Sequence, residues 1–155
     1  MEEEHKYTQV GGATILLILL AGVFTAYVAI AGLKSSPGPV QLGIGLLIVG
    51  LFILALASFY SFTIQIVAGE LTFWFGFGVG RKSFAINEIQ SIDIVDTPWY
   101  YFWGIKSIPG GWLYSIAPGG EALELVLGDS KKIQLGTNHP TEIKERIEIM
   151  LGTVA

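Results

Sequence analysis

Hydrophobic and polar positions alternate on two different periods along this chain, and the change of period divides it. From Tyr7 to Gly69 a single charge occurs, Lys34, between two long apolar runs, Val10–Leu33 and Val40–Tyr60. Neither run has a polar face. At about 1.5 Å per residue they reach about 36 Å and about 31 Å as helices, enough for a bilayer hydrocarbon core of about 30 Å. The pattern predicts two membrane helices. Between them, Lys34-Ser35-Ser36-Pro37-Gly38-Pro39 holds two prolines and a glycine, which stop a helix, and so short a link folds the second helix back beside the first.

From Ser61 the period drops to two. Phe62, Ile64 and Ile66 alternate with Thr63 and Gln65, and after the turn Ala68-Gly69-Glu70 the residues Leu71, Phe73, Phe75 and Phe77 mark an inward face. Gly78-Val79-Gly80-Arg81-Lys82 reads as a further turn into Ser83–Ile86, and Asn87-Glu88-Ile89 as a bend into Ser91–Val95. Gly104–Ile108 and Trp112–Ile116 form a hairpin about Pro109-Gly110, where proline sets the first turn position and glycine supplies positive φ at the second. Leu123–Leu127 and Lys131–Leu135 follow, with Leu123, Leu125, Ile133 and Leu135 inward. Pro140 then opens a helix at its first position, with Ile143, Ile147, Met150 and Leu151 as an apolar stripe opposite Glu142, Lys144, Glu145 and Glu148, ending at Gly152. The chain reads as a membrane helical hairpin followed by a small β domain closed by a C-terminal helix.

Composition narrows the function classes. Apolar residues make up 52% of the chain and the net charge is −4, with seven basic against ten acidic side chains beyond Tyr60. No basic field is present to attract nucleic acid. Cysteine is absent, so disulfides and thiolate metal or redox sites are excluded. Met1–Lys6 is an acidic tail, expected to extend through residue 9 and to be mobile. It lacks the basic start of a signal peptide, and although Ala29-Ile30-Ala31 has the small-x-small form of a cleavage site, the first apolar run is too long for one, so an uncleaved helix is expected.

Candidate chemistry is sparse. Asp93 and Asp96 fall close together but lack a histidine or second carboxylate cluster, so they read as solvated strand positions. Gly76, Gly78 and Gly80 suggest a phosphate loop, except that a strand rather than a helix follows. His139 reads as the residue preceding a helix rather than a metal ligand, and neither a metal nor a cofactor is expected. In lipid, helices associate where small residues let backbones approach, and Gly43, Gly50 and Ala57 on the second span with Ala21, Thr25 and Ala29 on the first are the expected seam. The least ordinary stretch is Trp99-Tyr100-Tyr101-Phe102-Trp103. Successive strand side chains point to opposite faces, so these aromatics cannot all enter one core, and at least Trp99 or Trp103 is expected on the surface. With Trp112 they form the candidate interaction surface, facing either protein or the bilayer interface, where Trp and Tyr concentrate.

The segments Ile89–Val95, Pro98–Ile105 and Pro109–Tyr114 resemble those of uncharacterised prokaryotic membrane proteins that carry a bacterial pleckstrin-homology-like (PH-like) domain behind a transmembrane hairpin. The charge and hydropathy pattern gives a tail over residues 1–9 and spans at 10–33 and 40–60; the resemblance implies membrane attachment and, over 61–152, a seven-stranded, partly open barrel capped by its last helix. It implies no reaction. Phosphoinositide-reading relatives place a basic cluster in the first strand-to-strand loop, whereas Val67-Ala68-Gly69-Glu70 has none; Arg81 and Lys82, one loop later, are the weak headgroup candidates. The resulting expectation is a non-enzymatic interaction module at the cytoplasmic face of the cell membrane, with an unidentified protein partner or a second copy bound to it. The alternative is lipid-interface sensing through residues 98–114. Lys6, Arg81 and Lys82 against Lys34 alone in the loop put both termini inside.

Overall fold

The computed structural model describes residues 4–35 and 38–154. Two helices, α1 (Gly12–Ser35) and α2 (Pro39–Phe59), lie side by side and expose apolar side chains along their length. Both are long and apolar enough to cross a membrane. Positions 36 and 37 of the expected link, like Glu2 and Glu3 of the expected tail, lie outside the described residues.

The seam between the helices matches the expected one at Thr25, Ala29 and Ala57, which are half-buried, and differs at Ala21, Gly43 and Gly50, which are exposed. A Cβ added at Gly45 would lie 3.7 Å from that of Ala29 and one at Gly22 3.6 Å from the Phe52 ring, whereas one at Gly43 or Gly50 would meet nothing within 4 Å. The half-buried positions include Ile18, Gly22, Thr25, Ala26 and Ala29 on α1 and Gly45, Ile48, Phe52, Ala55, Leu56 and Ala57 on α2. Steps of three and four follow the helical repeat, whereas an exact seven-residue spacing of small residues drifts off the contact stripe of a straight helix.

Among the described residues the β domain has nine strands rather than seven, in two sheets. The first sheet is ordered β1 (His5–Val10), β2 (Ser61–Val67), β3 (Glu70–Phe75), β4 (Val79–Ala85). The second is ordered β5 (Ile89–Thr97), β8 (Gly120–Leu127), β9 (Lys132–Gly136), β7 (Gly111–Ser115), β6 (Gly104–Ile108). All neighbours are antiparallel except β7 and β9, which run parallel. No closed barrel forms. The sheets face each other over a core that includes Phe62, Ile64, Leu71, Phe73, Leu123 and Leu135. The final helix, α3 (Pro140–Val154), buries Ile143 and Ile147 in that core and runs past Gly152, its expected end. It begins beside Tyr7 of β1, through His139, and ends beside the β2–β3 turn, so it closes a side of the sandwich.

Strand β1 is the main departure. Residues 5–10 are not a tail: they pair with β2 over six rungs, from His5↔Ile66 to Val10↔Ser61, with Tyr7 packed on the core. The physical reason is edge protection. Without β1 the row of N–H and C=O groups along β2 would lie open, and strand pairing satisfies it. The helical hairpin is therefore an insertion between two adjacent strands of one sheet, and the β domain is built from both sides of it.

Candidate functional site

Both helices join the β domain without a linker. Gly11, between β1 and α1, donates its N–H to the carbonyl of Tyr60, between α2 and β2, at 3.0 Å. Thr14, in the first turn of α1, is fully buried and donates its hydroxyl to the Ile116 carbonyl at 2.7 Å. Gly76 packs so closely on the end of α2 that a Cβ there would lie 2.3 Å from the Ala57 carbonyl oxygen. These contacts fix the helices to one end of the sandwich, here called the proximal end.

Strand directions identify everything else at that end. In the second sheet, Thr97 pairs with Gly120, Ala122 with Gly136 and Ser115 with Gly104, while Tyr114 and Leu135 are neighbours in the parallel pair. The ends of β5, β9 and β7 and the starts of β8 and β6 thus share one rim, and Ile116 ties that rim to α1. The Thr137-Asn138-His139 connection into α3 leaves from it, and three further loops occupy it: Gly76-Phe77-Gly78, Pro98–Trp103 and Ile116–Gly119. None of these three contains a charged residue. At the opposite, distal end the turns carry Glu70, Glu88, Asp129 and Lys131, and are stitched by backbone bonds Ile86→Gly69, Gly128→Glu88 and Lys132→Gly110 at 2.8–3.0 Å.

The proximal loops expose large aromatics. Trp99 is 72% exposed and Phe77 79%, with Tyr100 and Phe102 also exposed and Tyr101 and Trp103 half-buried. Residues 99–101 form a single 3-10 turn rather than a strand, and Phe102 follows with φ 52°, an uncommon conformation for a bulky residue. The turn stacks rings edge to face, Trp99 on Tyr100 and on Phe102, and Phe102 on Trp103, leaving outer faces free. Trp99 meets the surface expectation for the aromatic run.

Phe77 was expected inward and is not. β3 stops at Phe75 because Gly76, at φ 44°, turns the chain, and the Phe77 ring instead lies 6.1 Å from that of Tyr60 at the foot of α2. Ile94, near the end of β5, is 38% exposed. A glycine on each side of Phe77 was the available signal, since glycines bracket turns more often than they sit inside strands.

Other candidate residues scatter. Trp112, 47% exposed, sits beside Ser107 towards the distal hairpin of β6 and β7 and does not join the proximal cluster. Lys82 lies over the buried Tyr114 ring at 5.3 Å, and Arg81 over Trp74 at 5.0 Å. They point to opposite faces of β4, as strand neighbours do, and make no joint cationic site. Asp93 and Asp96, three apart on β5, are separated in the same way. Sequence reasoning missed Trp74: its ring stands on the outer face of the first sheet between Arg81 and Lys6, the latter at 5.8 Å. The signal was its odd register between inward Phe73 and Phe75.

Ionisable groups with shifted affinity for protons lie outside the proximal loops. Glu124 accepts from Gln134 at 2.7 Å and from Lys132 at 3.0 Å, and these bonds hold its carboxyl below the usual glutamate range. Asp129 and Lys131 pair at a distal turn, which lowers the acid and raises the base. No protein-family model matches the chain, and neither does any curated protein.

Proposed function

We propose that this chain is a membrane-anchored, PH-like interaction module that crosses the cell membrane twice, holds both termini and its β domain on the cytoplasmic side, and presents a surface to a protein partner or a second copy without catalysing a reaction. The observation that carries the reading is the linkerless insertion of the helical hairpin between β1 and β2, sealed by the Gly11–Tyr60 and Thr14–Ile116 bonds. Such a joint holds a domain at a set height and orientation over a bilayer, which an adaptor needs and a tethered, diffusing domain lacks. Two packed sheets with a C-terminal helix support the PH-like assignment. The distal end, with its charged turns, is the surface turned away from the helices and open to a partner.

The reading is tested in native membranes by placing a photocrosslinking residue at Glu88 or Asp129 and identifying products by mass spectrometry. Crosslinks to one protein, or to a second copy, support it. Recovery of uncrosslinked chain from every distal position overturns it. Orientation has its own test, since natural cysteine is absent. Ser35→Cys should react with an impermeant maleimide added outside, and Ser130→Cys only after the membrane is opened. The reverse pattern inverts the topology.

A further inference from the structure

We infer that the proximal rim is a second membrane-contacting surface: the exposed rings of Phe77, Trp99, Tyr100 and Phe102 seat in the interfacial layer of the same bilayer that α1 and α2 cross. The inference rests on the membrane anchorage in the reading above but not on the existence of a partner. Position carries most of the argument. Phe77 packs on Tyr60, one residue beyond the end of α2, so its ring is at the height where the helix leaves the hydrocarbon. Gly80, at the start of β4, is so close to the Ile105 side chain that a Cβ would lie 2.8 Å from it. That contact joins the Phe77 loop laterally to the start of β6, and thereby to Phe102 and Trp103. Trp99 is held to the same rim through Gly119, whose Cβ position lies 3.1 Å from the Trp99 Cα. The exposed rings thus extend outwards from the feet of the helices along one end of the domain.

Chemistry carries the rest. Aromatic side chains with an apolar body and a polar edge favour the membrane–water boundary. Exposed apolar rings next to membrane spans have the bilayer as a continuous neighbour, whereas a protein partner would need to fit between rim and headgroups. The three rim loops lack acidic and basic residues, so no particular headgroup is selected. Lys106 lies 5.2 Å from the Phe102 centroid, where a lysine can extend towards phosphates while its stem stays on the ring. The seat would stop the domain rocking about its two helices.

The test compares two exposed tryptophans at opposite ends. The full chain is reconstituted into vesicles of phosphatidylcholine brominated high on the acyl chain, as variants keeping only Trp99 or only Trp112, the other three tryptophans replaced by phenylalanine. Trp99 emission should be quenched at least about threefold more than that of Trp112, because only the first lies at interfacial depth. Equal quenching overturns the inference, and so does quenching of Trp99 that appears only when the brominated lipid is anionic, since a charge-free seat has no such requirement. Should the triple replacements disturb folding, nitroxide labels at Phe77→Cys and Ser130→Cys give a second reading. Phe77→Cys should relax faster with oxygen than with a polar nickel chelate, Ser130→Cys the other way round; the same polar preference at both sites refutes the seat. Neither failure affects distal crosslinking, so the two readings fall separately.

Discussion

The two ends of the β domain are made by the same strands and differ in almost every other respect. At the distal end the connections are tight turns, Ala68-Gly69, Pro109-Gly110 and Gly128-Asp129-Ser130, with charged residues in or beside them and backbone bonds linking one turn to the next. At the proximal end three connections are glycine- and aromatic-rich, uncharged, and tied to the helices by buried bonds. A strand's two ends have the same propensities, so the difference does not come from the sheets. On the proposed reading it reflects what each end faces. Turns in water are built from residues that satisfy their own backbone and stay solvated, whereas loops beside a membrane span are under no pressure to carry charge and gain from aromatic side chains.

The largest expected effect is on the element that runs between the two ends. α3 starts after the proximal end of β9 and finishes beside the distal β2–β3 turn, with Ile147 fully buried. Ile147→Ala should cost about 2–5 kcal/mol, the lost transfer energy plus a cavity that two sheets cannot close. Unfolding in detergent by denaturant checks this, with Lys144→Ala, half-buried on the outer side of α3, costing little. Because α3 contacts both ends, hydrogen exchange should quicken at the distal stitches and at Gly11 together. Quickening confined to one end would mean that the ends are separate cooperative units.

Substitution of one glycine at each end separates them. Gly76 has positive φ and its added Cβ would meet carbonyl oxygens of Ala57 and Ser58 at 2.3 and 2.6 Å, atoms that cannot move aside. Gly76→Ala should therefore cost about 2–4 kcal/mol through backbone strain and overpacking. Gly69, also at positive φ but with open space around it, should cost only about 1 kcal/mol as alanine. Equal losses in the same denaturant titration would remove the claim that the proximal joint is the more constrained.

Much of the architecture was readable from periodicity, and the failures have physical causes. The two long apolar helices, the inward faces of β2, β8 and β9 and the stripe of α3 stood out because each is set by local spacing. β1 did not. Its inward positions, His5, Tyr7 and Gln9, include two polar residues, and its partner lies beyond the entire helical hairpin, as in the Thr8–Thr63 hydroxyl pair. The parallel β7–β9 contact is likewise non-local, since sequence order suggests antiparallel neighbours. Of the candidate surface, the exposure of Trp99 followed from the impossibility of burying five consecutive rings. Its company did not: Phe77 and Tyr60 reach the same rim through folding alone, and Trp112, equally aromatic, is carried away from it by the register of β6 and β7.

A smaller effect separates the ends only when a bilayer is present. Trp99→Ala removes an exposed ring with few contacts in the protein, so in detergent it should shift stability by less than about 0.5 kcal/mol. In vesicles the same variant should give weaker quenching of Phe77→Trp by brominated lipid, because two seats on one rigid rim hold each other at depth. Trp112→Ala should leave that quenching unchanged. Loss of quenching in both variants would indicate a general loosening of the domain rather than a local seat.

The last effect belongs to neither end and serves as the reference. Glu124 spans β8 and β9 through Gln134 and Lys132, and its carboxyl is held below the usual range, first by the Gln134 bond. A carboxyl with a depressed folded-state value stabilises the fold above its unfolded value, and that contribution is lost as pH falls through the folded one. Stability should therefore decline on acidification below the ordinary glutamate range, and Glu124→Gln should flatten part of the decline while costing about 0.5–1 kcal/mol near neutral pH. Denaturant midpoints measured across the acid range check the sign. The Asp129–Lys131 pair at the distal turn is open to solvent, so Asp129→Asn should leave the profile almost unchanged and lose what little effect it has in high salt. If Asp129→Asn flattened the acid profile more than Glu124→Gln, the pH-sensitive interaction would lie at the distal end, and the view of that end as freely solvated turns would have to be abandoned.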